Sequence, residues 1–245
     1  MGPTLPESGS FIFTDTDFIE CKNPGSESYG GAIDCTGGDL TIQRCSFAEC
    51  SSGFRGGGTS FRSGGTCIQE DNLYLRCSAG SSSGGFDSWH TSKSPYHHHK
   101  RCKYIQSTSD TRPHIIIEYS PDVRIDSTIY IQGTSDGSDW AGTVVCFHAN
   151  GPIIYSNCIF SHGNAFNSGG LSFLGSRTDT TATLTVKFCF FINNYDLNGK
   201  PREIYFNADT SCNAGEDLII HSFSATPGST VFIQNESPQD QYWLL

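Results

Sequence analysis

Gly30-Gly31-Ala32-Ile33 comes shortly after the run of residues 11–21, and this pair of segments returns in altered form along the chain. Gly56-Gly57-Gly58 precedes a second short apolar segment, and Gly169-Gly170 precedes another. Glycine allows sharp turns and close approach of backbones, so a glycine corner that leads into a short apolar strand is an architectural signal. The sequence therefore predicts the fold of this protein better than its chemistry.

Apolar residues recur at offsets 0, 2, 5 and 7 from a series of starting positions. From Leu40 the offsets give Leu40, Ile42, Cys45 and Phe47. Offsets 0 and 2 lie on one face of a strand, and so do offsets 5 and 7, because strand side chains alternate with period two. The step of three between the two pairs predicts a corner, after which the side chains point inward again.

The series of starting positions extends over most of the sequence, and its intervals fall within the period of ~20–50 residues that is typical of repeat architectures. The starts are Phe11, Leu40, Leu73, Cys102, Val123, Ile153, Leu184 and Leu218, of which Leu73 and Cys102 fit loosely. The other clear sets are Phe11, Phe13, Thr16 and Phe18; Val123, Ile125, Thr128 and Tyr130; Ile153, Tyr155, Cys158 and Phe160; Leu184, Val186, Cys189 and Phe191; and Leu218, Ile220, Phe223 and Ala225. We expect Asp15, Arg44, Asn157 and Phe188 at or beside the corners.

A third apolar segment follows most of these sets, for example at residues 32–33, 143–147 and 230–233. Sustained helical periodicity is missing, and Gly, Ser, Thr and Asn punctuate every run. These patterns predict an all-β solenoid of about eight coils that forms a single domain over residues 1–245. Within it we expect a lead-in at 1–10, an irregular coil or long loop at 78–114 and a C-terminal tail at 237–245.

The repeat resembles that of polymorphic outer-membrane proteins over roughly residues 11–194. Gly30-Gly31-Ala32-Ile33 matches the GGA[ILV] half of that repeat, and Phe191-Ile192-Asn193-Asn194 matches the FxxN half. Phe18-Ile19-Glu20-Cys21 and Phe47-Ala48-Glu49-Cys50 are similar to FxxN with Cys in place of Asn, and Gly169-Gly170-Leu171 is similar to GGA. The resemblance implies a right-handed parallel β-helix like that of the pectin-lyase-like superfamily, in a family made up mostly of surface proteins and adhesins.

Composition and charge limit the choice of partners and compartment. The chain has 15 Lys and Arg against 25 Asp and Glu, a formal net charge of −10. Such a surface repels phosphate backbones, so we expect no nucleic acid as a partner. Residues 1–8 lack the basic and apolar regions of a signal peptide, and no apolar run reaches the ~18 residues of a membrane helix. We therefore expect a cytoplasmic protein, including association with the cytoskeleton. Removal of a signal sequence would instead place it at the cell surface.

Eleven cysteines form an odd set without any CxxC pair. This pattern argues against a disulfide framework and against a zinc site, and it favours buried thiols that act as small core residues. We expect Cys45, Cys158 and Cys189 to point inward. The alternative is a secreted disulfide protein.

The sequence gives only weak signals for a catalytic site. Hydrolysis of a glycosidic bond needs two carboxylates about 5–10 Å apart, and the candidate pairs are Asp15 with Asp17, Asp122 with Asp126, and Asp136 with Asp139. Aspartate also stabilises turns, and these residues fall at expected corners and loops. Ser161-His162-Gly163 is only a fragment of a polygalacturonase-like set. We predict no catalytic, cofactor-binding or metal-binding residues.

Two further segments have no assigned role. His97, His98 and His99 could bind a metal, but three adjacent histidines cannot all face one point without a tight turn, so we expect a solvated loop. Tyr242-Trp243-Leu244-Leu245 is apolar and follows a polar run. We expect this tail to fold back over the last coil, and the alternative is an anchor that inserts into a partner.

These observations favour a non-enzymatic structural or scaffold protein that docks in a larger intracellular protein assembly, cytoskeletal lattices included. The expected partners are other proteins in a multi-subunit assembly, without a small-molecule substrate. The first alternative is a cell-surface adhesin of the polymorphic outer-membrane protein type. The second is a polysaccharide lyase or hydrolase.

Overall fold

The computed structural model describes residues 4–5, 8–62, 65–89, 96–135, 137, 142–149, 151–166, 168–175, 183–208, 218–221, 224–225, 230–235 and 241–244. All regular structure in these residues is β, and no helix is present among them. The strands stack as parallel sheets in a β-solenoid of about six turns, which confirms the predicted fold class.

Three sheets run the length of the solenoid, and we name them A, B and C. Sheet A contains ten strands and sheets B and C contain eight each. Sheet A consists of β1 (Thr4–Leu5), β5 (Ile33–Cys35), β9 (Thr59–Arg62), β13 (Phe86–Trp89), β17 (Ile115–Glu118), β20 (Gly142–Ala149), β24 (Ser168–Gly175), β28 (Arg202–Ala208), β31 (Thr230–Asn235) and β32 (Gln241–Leu244). Sheet B consists of β2 (Ser10–Thr14), β6 (Asp39–Gln43), β10 (Thr66–Glu70), β14 (Tyr96–Lys100), β18 (Asp122–Asp126), β21 (Pro152–Ser156), β25 (Thr183–Lys187) and β29 (Leu218–His221).

Sheet C follows sheet B after each corner. It consists of β3 (Asp17–Ile19), β7 (Ser46–Ala48), β11 (Leu73–Leu75), β15 (Lys103–Ile105), β19 (Ile129–Ile131), β22 (Ile159–Ser161), β26 (Phe190–Ile192) and β30 (Ser224–Ala225). A fourth face, which the sequence did not predict, is built from two-residue strands. These are β4 (Lys22–Asn23), β8 (Ser51–Ser52), β12 (Ser78–Ala79) and β16 (Thr108–Ser109) in one sheet, and β23 (Asn164–Ala165) and β27 (Tyr195–Asp196) in another.

The corners between sheets B and C lie where the step of three predicts them. Asp15, Arg44, Asn157 and Phe188 all have φ between 51° and 55°, in the left-handed region. A residue with positive φ reverses the local turn of the chain, so the next strand again directs alternate side chains inward. The side chains at offsets 0, 2, 5 and 7 from Leu40, Val123, Ile153 and Leu184 are buried, as predicted. The side chains of Leu218, Ile220 and Ala225, and all of Phe223, lie outside the described part.

Two of the predicted starting positions are wrong. Leu73 and Cys102 belong to the segments after the corner. Leu40 pairs with Cys67 and Cys67 pairs with His97, so the inward pattern of these two coils begins at Cys67 and His97. With these starts the offsets give Cys67, Gln69, Asn72 and Tyr74, and then His97, His99, Cys102 and Tyr104, all of them buried. The apolar pattern failed in these two coils because polar side chains occupy the inward positions of sheet B.

The segment 78–114 is also more regular than we predicted. It carries β12 to β16, which pair in register with the coils on either side, and only residues 90–95 within it lie outside the described part. Because inward residues of this segment are polar, the apolar spacing that identifies strands in the other coils is missing from its sequence.

The interior is filled by columns of like side chains. Seven stacked rings follow one another with centroids 4.5–5.3 Å apart. They are Phe18, Phe47, Tyr74, Tyr104, Tyr130, Phe160 and Phe191. Cys45, Cys158 and Cys189 are buried, which confirms their inward prediction, and eight of the nine cysteines whose side chains are described are buried free thiols.

The glycine corners that precede sheet A are explained by close backbone approach. A Cβ on Gly31 would lie 2.1 Å from the carbonyl oxygen of Gly57, and a Cβ on Gly57 would lie 2.4 Å from that of Gly84. Real side chains do not tolerate such distances, so only glycine fits where successive coils touch at this corner. This contact accounts for the recurring glycine pairs.

The backbone of the C-terminal tail folds back on the last described coil. Strand β32 pairs antiparallel with β31, and Trp243 lies opposite Val231. This pairing agrees with the expected fold-back of residues 242–245 as far as Leu244.

Candidate functional site

The predicted carboxylate pairs have structural partners. Arg44 donates two hydrogen bonds of 2.7 Å to Asp15 one coil below, and this bonding lowers the pKa of the Asp15 carboxyl. Asp17 accepts a hydrogen bond from Ser46 in the same way. Each of these contacts joins neighbouring coils at an exposed corner, which fits a structural role.

The second candidate pair is similarly engaged. Asp122 forms an ion pair with Arg124 at 3.1 Å. Asp126 accepts hydrogen bonds from Ser156 at 2.6 Å and Asn157 at 2.9 Å. Asp136 and Asp139, the third candidate pair, lie outside the described residues. His162 of the Ser161-His162-Gly163 fragment occupies a corner with φ 57°.

The outer face of sheet C is strongly apolar. Because Tyr74 points inward from β11, its neighbours Leu73 and Leu75 point outward, and the same alternation holds in the following strands. Eight of the ten outward residues from β11 to β26 are aliphatic or aromatic, and we name these eight the apolar stripe; the other two are Lys103 and Ser161. The apolar stripe consists of Leu73, Leu75, Ile105, Ile129, Ile131, Ile159, Phe190 and Ile192.

Exposure along the apolar stripe is greatest in the coil that contains β26. Phe190 is 51% exposed and Ile192 is 41% exposed. Phe188, at the corner that leads into β26, is 55% exposed and has φ 53°. Exposed apolar side chains that lie together on a surface are typical of interaction sites.

Phe188 is unusual among the corners between sheets B and C. The equivalent residues in the other coils are polar or charged and are Asp15, Arg44, Asp71, Arg101, Ser127 and Asn157, with φ between 51° and 57°. A bulky residue at positive φ costs on the order of 1 kcal/mol, whereas Asn and Asp tolerate this region. Strained residues of this kind concentrate at functional sites.

By comparison, buried ion pairs cover part of the outer face of sheet A. Arg55 donates to Asp87 at 3.1 Å and to Glu118 at 2.7 Å, and its guanidinium lies 5.5 Å from the ring centroid of Trp89. Burial raises the pKa of Asp87 to about 6, although the charge of Arg55 opposes the shift. These buried ion pairs cover their own sheet, so this face offers less apolar surface to a partner than sheet C does.

A shallow groove runs beside the fourth face. It is lined mainly by uncharged side chains, including Gln106, Gln132, His162 and Asn193. A neighbouring depression adds Asp110, the one carboxylate among the described lining residues of the two. Glycosidic hydrolysis uses a pair of carboxylates, so the groove does not present the catalytic set of a hydrolase.

The three histidines are not in a solvated loop. His97, His98 and His99 form the centre of β14, and the inner two positions are His97 and His99, each with 0% exposure. A strand places residues two apart on one face, so His97 and His99 point into the interior without any tight turn. Burial lowers the pKa of His99 to about 3, which keeps the imidazole neutral.

Cys67 lies directly below His97, because β10 and β14 pair in register. Ligand atoms of Cys67, His97 and His99 all lie within 4.8 Å of one another. The offset pattern did not reveal this cluster. The signal that could have revealed it is a Cys that precedes an His-x-His by one coil in the predicted strand register.

The fold defines this protein as a parallel β-solenoid with an apolar outer face on sheet C and a polar group in its interior. No protein-family model, curated protein or solved structure matches the chain. Among the described residues, no helix is sufficiently long and apolar to cross a membrane.

Proposed function

We propose that this protein is a non-enzymatic scaffold that docks in a larger intracellular protein assembly, cytoskeletal lattices included, through the apolar stripe of sheet C. The observation that carries the proposal is the outward row of eight aliphatic and aromatic side chains that ends in exposed Phe190 and Ile192. A sheet face in water gains nothing from such residues, whereas burial against a partner gains about 25 cal/mol per Å² of apolar area.

The partner is a protein with an apolar ridge bordered by basic residues. The stripe extends over five coils, from β11 to β26, and at about 4.8 Å between coils it is roughly 20 Å long. The net charge of −10 favours a basic rim on the partner, since complementary charge steers association. Phe188 adds an exposed ring beside the most exposed end of the stripe, where an interface would draw most of its affinity from aromatic anchors.

The experiment replaces apolar groups on this face and follows the size of the native complex. Wild-type protein and the double variant Phe190→Ser/Ile192→Ser are expressed at native level, and extracts are analysed by sedimentation. We expect the variant to move from a large complex to the monomer fraction, with affinity for its partner reduced by on the order of 30-fold.

The matched control is Ile12→Ser, which alters an outward residue of sheet B that is 68% exposed. It should leave the complex intact. The proposal fails if wild-type protein sediments as a monomer and co-purifies with nothing, or if the control disrupts the complex as much as the double variant does.

The alternative function is a surface adhesin, for which the support is the Gly30-Gly31-Ala32-Ile33 repeat and its likeness to polymorphic outer-membrane proteins. An adhesin would pass through an oxidising compartment, so mass spectrometry of the native protein should find disulfides or a glycan on Asn235, which begins the glycosylation sequon Asn235-Glu236-Ser237. Free thiols throughout and an unmodified Asn235 would argue against it.

A further inference from the structure

Two interior columns of sheet B are apolar except in two consecutive coils. The first column contains Phe11, Leu40, Cys67, His97, Val123, Ile153 and Leu184, and the second contains Phe13, Ile42, Gln69, His99, Ile125, Tyr155 and Val186. In the described part of these columns, Cys, Gln and His replace the Phe, Leu, Ile, Val and Tyr of the other coils only where β10 meets β14. Burial of polar groups is costly unless they are satisfied, so this replacement calls for a ligand or a network.

The local hydrogen bonds satisfy this group only in part. Ser88 Oγ lies 2.9 Å from Nε2 of His97, and the Tyr104 hydroxyl lies 3.4 Å from Nδ1 of His99. Nε2 of His99 is fully buried and has no hydrogen-bond partner among the described residues. Proteins orient a metal-binding imidazole by a hydrogen bond to one ring nitrogen, which leaves the other nitrogen for the metal.

The distances suit a small ion. If the three ligand atoms of Cys67, His97 and His99 formed a triangle with sides of 4.8 Å, its centre would lie about 2.8 Å from each atom. Metal bonds to His nitrogen and Cys sulfur are about 2.0–2.3 Å long, so the sulfur needs to move inward by about 0.5 Å and each nitrogen by about 0.8 Å. The proposed site requires side-chain rotations of this size.

We propose that Cys67, His97 and His99 bind one copper(I) ion inside the solenoid. Thiolate and imidazole are the donors that soft copper(I) prefers, and two His with one Cys form a trigonal set of the kind that copper sites use. The net charge of the ion and its ligands favours copper(I) over zinc. The thiolate of Cys67 neutralises a monovalent ion, whereas Zn²⁺ would leave a net positive charge in an apolar interior without a carboxylate in the cluster.

Binding exchanges one proton for the ion. The thiol of Cys67 releases its proton to solvent, the sulfur–copper bond forms, and the two neutral imidazoles add their lone pairs without change of oxidation state. All three ligands have 0% exposure, so the ion enters before the coils close and binding is coupled to folding. The site joins two adjacent coils, because Cys67 lies on β10 and the two histidines lie on β14.

The test uses the full chain, produced in copper-supplemented cells and purified without oxygen in the presence of a thiol reductant. We expect close to one copper per chain, and X-ray absorption should show one sulfur and two nitrogen neighbours. Cys67→Ser and His99→Gln should each lower the copper content at least tenfold. Far-UV circular dichroism verifies that each variant retains its β structure.

The matched controls are Cys102→Ser and His114→Gln, which alter the same residue types at buried positions outside the cluster. They should retain copper. The X-ray absorption spectrum of the wild-type protein still tests the proposal if a variant does not fold. An all-sulfur shell, a copper-free protein, or preferential loading with zinc from zinc-supplemented cells would each overturn the proposal. Failure of the docking experiment would leave it unaffected, because the two sites share no residue.

Discussion

Replacement of Asn72 by alanine tests how the solenoid closes its corners. The backbone N–H of Cys45 donates to Asn72 Oδ1 at 2.9 Å, and Asn72 Nδ2 donates to the carbonyl oxygen of Ile42 at 2.8 Å. Asn72 is 1% exposed, so water cannot replace these bonds. Each buried backbone group left unsatisfied costs about 1–3 kcal/mol, and two such groups give an expected loss of about 2–6 kcal/mol in the free energy of unfolding.

The assay is equilibrium urea unfolding of wild type, Asn72→Ala and the control Asn164→Ala, followed by circular dichroism. Asn164 is exposed and should cost less than about 0.5 kcal/mol. A loss below about 1 kcal/mol for Asn72→Ala, or equal losses at the two positions, would refute the reasoning that a side-chain amide replaces backbone pairing at this corner.

Three further predictions concern the core, the closed face of sheet A and the corner strain. Tyr104→Ala should cost about 3–5 kcal/mol in urea unfolding because it removes one ring of the stack, whereas Tyr104→Phe should cost less than about 1 kcal/mol; equal costs would contradict ring packing as the cause. Burial raises the pKa of Asp87 to about 6, so the folded state binds a proton that the unfolded state has lost, and the free energy of unfolding should fall by about 1 kcal/mol from pH 5 to 7.5 through this group. Asp87→Asn should remove this part of the slope, and an unchanged slope would count against the assignment. At Phe188, both Asn and Ala delete the ring, but Asn accepts positive φ, so Phe188→Asn should be more stable than Phe188→Ala by about 0.5–1 kcal/mol in the same unfolding assay, and the reverse order would contradict strain there.

The sequence predicted the fold where inward residues are apolar. From Leu40, Val123, Ile153 and Leu184 the offset rule identifies buried positions, because apolar side chains mark the interior of a strand. At Cys67 and His97 the rule failed, since the inward residues there include Gln and His. Only the pairing of β10 and β14 with each other, with β6 and with β18 shows that these polar groups occupy the same columns as Leu40 and Val123.

The two candidate sites differ in how far sequence could have found them. The outward residues of sheet C follow from the same alternation that places Tyr74 and Phe160 inward, so the apolar stripe was implicit once the register was known. The cluster of Cys67 with His97 and His99 depends on contact between adjacent coils, which are distant along the chain, and no local pattern reports that contact. The identity of the proposed assembly partner depends on surfaces outside this chain, which its sequence does not encode.

The seven stacked rings have a consequence for how the molecule opens. Within the stack each ring packs on the rings directly above and below it, so the coils form a one-dimensional series in which each coil is stabilised by its neighbours. Opening should begin where a coil has a neighbour on one side alone and advance inward one coil at a time. Amide protons around Tyr74 and Tyr104 would then exchange last. A partner bound near Phe190 would slow unfolding from that end of the solenoid.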